Sequence, residues 1–94
     1  LERSSRYVAW ARVLGGEFED LKRARRTGRP SVLDTYGATN PAEFFAVATE
    51  SFFEQPARLK RKHPELYDEL KRYYHQDPIR QFAQPSATPA DDID

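Results

Sequence analysis

Ninety-four residues, 38% of them apolar and 32% charged, allow one small hydrophobic core and not two domains. The absence of cysteine excludes a disulfide framework, a thiol nucleophile and any thiolate-held zinc or iron–sulfur site. Fifteen basic residues balance fifteen acidic ones, which argues against a protein built mainly to coat nucleic acid, and no apolar run approaches the roughly 18 residues of a membrane span.

Methionine is absent too, so Leu1 is not an initiator residue and the chain reads as an excised or processed piece. Any targeting signal or upstream catalytic residue would have gone with the missing part. Over residues 6–26, Tyr7, Trp10, Ala11, Leu14, Phe18 and Leu21 recur at steps of three and four, which predicts an amphipathic helix. Ser4 or Ser5 is its N-cap candidate, and Lys22, Arg23, Arg25 and Arg26 suit the negative end of the helix dipole. Gly15-Gly16 marks a point where the helix could kink or split, and Thr27-Gly28-Arg29-Pro30 stops it.

Residues 31–40 read as a loop, with a short extended piece around Val32 left open. Asn40-Pro41-Ala42-Glu43 then combines an N-cap residue, a proline at the first helical position and a glutamate three residues after the cap. The helix it opens should run to about Glu54, where Gln55-Pro56 breaks it. Phe44, Phe45, Val47, Ala48, Phe52 and Phe53 cover more than half its circumference, which puts it at the centre of the domain. A short helical turn is expected over residues 56–62. Pro64 opens a further helix with Leu66, Tyr67, Leu70, Tyr73 and Tyr74 on its buried side, ended by Asp77-Pro78. After about Phe82 the acidic, proline-containing stretch QPSATPADDID predicts disorder. The expected fold is all-α, a small bundle of about three main helices over residues 1–82 with a disordered tail at 83–94.

Chemistry concentrates in YGATNPAEFFA, residues 36–46. Glu43 has two readings. As the third residue after Asn40 it completes a capping box by reaching back to the Asn40 amide. Alternatively, Glu43, Glu50 and Glu54 share one side of an otherwise apolar helix. A carboxylate emerging from the first turn of a buried helix is desolvated and calls for a cation, a metal or several donors. Tyr36 likewise reads either as a loop aromatic packed on the core or as a phenol serving a site.

The long string YGATNPAEFFAVATESFFEQP, continued by HPELYDELKRYYHQDP, resembles the Mlc titration factor A family, a group of bacterial zinc peptidases. The resemblance covers most of the chain, from about Tyr7 through Asp77-Pro78. The tyrosine–glutamate spacing is also similar to that in the catalytic domain of anthrax lethal factor. This likeness implies the C-terminal portion of a gluzincin-type metallopeptidase domain. In that arrangement two histidines of an HExxH helix and a later glutamate hold zinc, and the HExxH glutamate acts on the zinc-bound water. Carried to this sequence, Glu43 is the third zinc ligand and Tyr36 the donor to the tetrahedral oxyanion, with Glu50 and Asn40 as candidate supports behind the ligand. Three protein ligands leave the fourth zinc position for water or substrate, and a phenol beside the metal can hydrogen-bond developing negative charge.

The chain departs from that family in lacking HExxH. Its two histidines do not replace it: His63 precedes proline and follows Lys60-Arg61-Lys62, a setting that disfavours a metal cation, and His75 near Asp77 reads as an exposed helix-end residue. The resemblance therefore implies a segment that binds zinc poorly and hydrolyses no peptide alone. Peptide or protein is the substrate of the complete enzyme, a transcriptional repressor a candidate partner and the cytoplasm the expected compartment. A rival reading is a non-catalytic helical module that binds a transcriptional regulator or nucleic acid. The basic run at 22–29 favours it, whereas the adjoining Glu17, Glu19 and Asp20 argue for a solvated helix end. If the apolar face of residues 44–53 lacks a cover, self-association through it is expected.

Overall fold

A computed structural model describes residues 2–83, and side chains over 5–81. The chain is all-α: α1 (Glu2–Thr27), a 3₁₀ turn (Thr35–Ala38), α2 (Pro41–Glu54), α3 (Pro56–Lys62), α4 (Pro64–Tyr74) and α5 (Pro78–Ala83). No strand forms around Val32, nor elsewhere among the described residues. Proline opens each of the last four helices, where its missing N–H costs nothing and its fixed φ suits the first turn. Of the tail expected at 83–94, only Ala83 is described; it lies in α5, and the rest is outside the described residues. No described helix is long and apolar enough to cross a membrane.

Helix α1 runs unbroken through Gly15-Gly16 and starts upstream of Ser4 and Ser5, which lie inside it instead of capping it. Its buried stripe also differs from the expected one. Val13, Leu21 and Ala24 are 6% exposed or less, with Trp10, Leu14 and Phe18 beside them, while Tyr7 and Ala11 face outward. Tyr7 is 70% exposed despite its spacing, and with Trp10 it lines a shallow surface groove against Glu69, Arg72 and Tyr73 of α4. At the other end Gly28, at φ 72°, lets the Arg29 N–H reach back to the Ala24 carbonyl at 2.9 Å, closing the helix as a Schellman motif.

Helix α2 sits at the centre. Phe44, Val47, Ala48 and Phe52 are buried, and Phe45 and Phe53 lie partly buried against Trp10, Tyr73 and Tyr74. The face that sequence reasoning left without a cover is thus covered by α1 and α4 of the same chain. Helix α4 buries Leu66, Tyr67 and Leu70 completely, but Tyr73 is 55% exposed and lies flat on Trp10 at the surface. Helix α5 was unforeseen: Pro78 ends the preceding segment and equally begins this one.

Candidate functional site

The segment from Asp34 to Glu43 is positioned by three local devices. Asp34 accepts the Tyr36 N–H at 2.9 Å through Oδ1, and its carbonyl accepts the Gly37 N–H at 2.9 Å, which starts the 3₁₀ turn. Gly37 wedges the turn between α1 and α2: a Cβ there would stand 3.1 Å from both Leu21 Cδ2 and Val47 Cβ. With Gly37 and Ala38 buried, the neighbouring Tyr36 is turned outward and is 57% exposed, so it is not a core-packing aromatic. Asn40, in extended conformation, then accepts the Glu43 N–H at 2.9 Å through Oδ1.

Only half of the capping box is therefore present. Asn40 caps the helix, but the Glu43 carboxylate makes no hydrogen bond or ion pair among the described residues. It is half-buried at the rim of α2 and not enclosed as the apolar pattern suggested, because the first turn emerges from the core there. Glu50 is exposed two turns further on, about 10 Å along the axis by the helical rise. Tyr36 and Glu43 flank Asn40 and present a phenol and a carboxylate on adjoining elements.

Among the described residues no group of three or more His, Cys, Asp or Glu side chains could hold a metal ion. His63 instead gives its Nδ1–H to Glu17 Oε1 at 2.8 Å, tying the α3–α4 junction to the middle of α1. Sequence reasoning missed this contact across 46 positions. The signal that could have found it is spacing: Glu17 lies on the Val13–Leu21 stripe, four residues from each. His75 is exposed at φ 56°, closing α4 in the left-handed region. The basic run at the end of α1 is partly spent locally, Lys22 on Glu19 at 3.0 Å and Arg23 on Asp20, which weakens it as a phosphate stripe.

Comparison with known proteins shows which family the chain belongs to. The sequence profile of the family described as glucose-regulated metallo-peptidase M90 matches residues 1–75, which include both Tyr36 and Glu43. An uncharacterised protein of Synechocystis sp. is 42% identical over 79 residues, 84% of this chain and 29% of that protein. The Mlc titration factor A of Edwardsiella ictaluri is 36% identical over 79 residues, 82% of this chain and 30% of that protein. The Mlc titration factor A of Serratia proteamaculans is 38% identical over 74 residues, 77% of this chain and 28% of that protein. The chain thus spans about three tenths of the length of these curated relatives. No solved structure matches it. A profile that covers most of the chain, with the expected family resemblance met by the named relatives, places this protein in the glucose-regulated metallo-peptidase M90 family.

Proposed function

We propose that this chain is the helical segment of a zinc-dependent peptidase that brings one metal ligand, Glu43, and one oxyanion donor, Tyr36, to a site completed by residues outside these 94. The reading rests on one observation: a half-buried carboxylate without a partner among the described residues, fixed in the first turn of α2, which follows the turn bearing an outward-turned phenol. Catalytic zinc needs three protein ligands and an open position. Glu43 fits as one of them, and the described residues supply no second or third. When bound, the metal supplies Lewis acidity and an activated water for peptide-bond hydrolysis.

This chain's own contributions are positional. Asn40 holds the Glu43 backbone in register, the Gly37 wedge fixes the 3₁₀ turn against α1 and α2, and the Tyr36 O–H donates a hydrogen bond to the oxygen that becomes negative as the carbonyl is attacked. Peptides or proteins are the proposed substrates and the cytoplasm the proposed compartment. Both of the named relatives described above are called Mlc titration factor A, which makes Mlc the protein partner to try first. Exposed Tyr7 and Tyr73, the latter stacked on half-buried Trp10, favour a second reading, a helical interaction module without catalysis.

The test uses the longer protein that contains this segment. Glu43→Gln keeps the cap and shape but should lower bound zinc, read by elemental analysis, by about 10-fold or more at limiting metal. Undiminished zinc with only a small stability change would leave Glu43 no ligand role. Tyr36→Phe should keep the zinc yet lower kcat by about 10²-fold, the loss expected for one oxyanion donor.

A further inference from the structure

A cleft of about 400 Å³ lies between the C-terminal half of α1, residues 29–33 and α3, and neither Tyr36 nor Glu43 lines it. Its floor is apolar, with Leu21, Ala24 and Leu33 no more than 3% exposed. Its rim carries three exposed cations, Arg29, Arg58 and Lys62. Two carboxylates also line it, and each is already engaged: Glu17 accepts from His63, and Asp20 is paired with Arg23, which is not part of the lining.

The cations have no such partners. Among the described residues Arg29 and Lys62 form no ion pair and no side-chain hydrogen bond, and Arg58 donates only to the neutral Gln55 Oε1 at 3.0 Å. Three cations thus face a concave space against two carboxylates, one of them already paired with an arginine outside the lining, and such an excess of positive charge in a cleft concentrates anions. Guanidinium forks match the tetrahedral oxyanion of a phosphate bidentately, and an ammonium adds a point charge. The cleft volume falls in the range of roughly 300–1,000 Å³ typical of small-molecule sites, with room for more than an inorganic ion. The half-buried His63 ring, its Nδ1 committed to Glu17, forms a fixed polar wall with Nε2 still available to a ligand hydroxyl.

We propose that this cleft binds a small phosphomonoester, with the phosphate held by Arg29, Arg58 and Lys62 and the carbon body over Leu33. The site is independent of the metal centre proposed above. Titration of the full chain with glycerol phosphate, followed by amide NMR, should shift the signals of Arg29, Ser31, Lys62 and His63 saturably, with a Kd on the order of 1 mM. Inorganic phosphate should bind the same residues more weakly, and glycerol or chloride at matched ionic strength should leave them in place. Arg29→Gln with Lys62→Gln should weaken binding about 10-fold or more, because charge-assisted hydrogen bonds are lost at two exposed positions that the fold does not need. Arg26→Gln, an exposed cation that is not in the lining, should change it less than about twofold. Arg58→Gln provides a second, separate loss. Non-saturable shifts, equal affinity for inorganic phosphate, or equal effects of the Arg26 and Arg29/Lys62 substitutions would overturn the proposal.

Discussion

Tyr67 illustrates how one side chain, buried for its ring, comes to organise polar groups that are distant in sequence. The ring is fully buried under Phe52, and its hydroxyl donates to Asp77 Oδ1 at 2.5 Å while accepting the Ile79 N–H at 3.2 Å. Burial first, then the bond to Asp77, pushes the phenol from 10.0 up to about 12. The same bond, aided by Lys71, holds the Asp77 carboxyl below its ordinary 3.8. A phenol raised on folding contributes stability that is present below pH 10.0 and lost as pH climbs through about 12. A depressed carboxyl contributes stability that is present above 3.8 and lost as pH falls through its lower folded value. Tyr67→Phe should therefore cost about 1–3 kcal/mol near neutrality, since it strands the Ile79 amide and leaves the carboxylate with Lys71. It should also flatten stability against pH at both extremes, which urea unfolding of both proteins across that range would check. At this scale the cap at Asn40 was legible, because it lies inside a local motif. Glu17 with His63 and Tyr67 with Asp77 join separate elements, so a local pattern could place Glu17 on the buried stripe but could not name the partner of either pair.

The helical elements were legible wherever punctuation was chemical. Asn40-Pro41, Pro56 and Pro64 fixed three helix starts because proline cannot donate from a helix interior but fits a first turn. Gly15-Gly16 does not split the helix, and a Cβ at either position would meet nothing within 4 Å, so these glycines serve no close contact and α1 carries their entropic cost without a break. Gly15→Ala and Gly16→Ala should each raise stability by about 0.5–1 kcal/mol, measured as a rise in the unfolding midpoint without change of slope. Gly37→Ala should do the reverse and cost about 1–3 kcal/mol, because Leu21 and Val47 already crowd the space its methyl would take. A neutral result at Gly37 would mean that the wedge gives way, and the fixed placement of Tyr36 would lose its basis.

For the whole molecule, the question is how much of a metal site one short chain carries. The described residues bring no three potential ligands together: His63 is bonded through Nδ1 to Glu17, and His75 stands exposed at a helix end. Zinc should accordingly bind this chain with a Kd of about 10 µM or weaker in a competition titration with a chelating dye. A nanomolar site here would refute the single-ligand reading. Composition and spacing alone determined the all-α class, the central place of α2 and most helix boundaries, because these follow from 3.6-residue periodicity and backbone chemistry within a few neighbouring residues. Only the tertiary structure decided which apolar positions face water, as at Tyr7 and Tyr73, and which carboxylate is engaged, Glu17, and which is not, Glu43. Those outcomes depend on where α1, α3 and α4 stop covering one another, a property of the packed helices that no single segment contains.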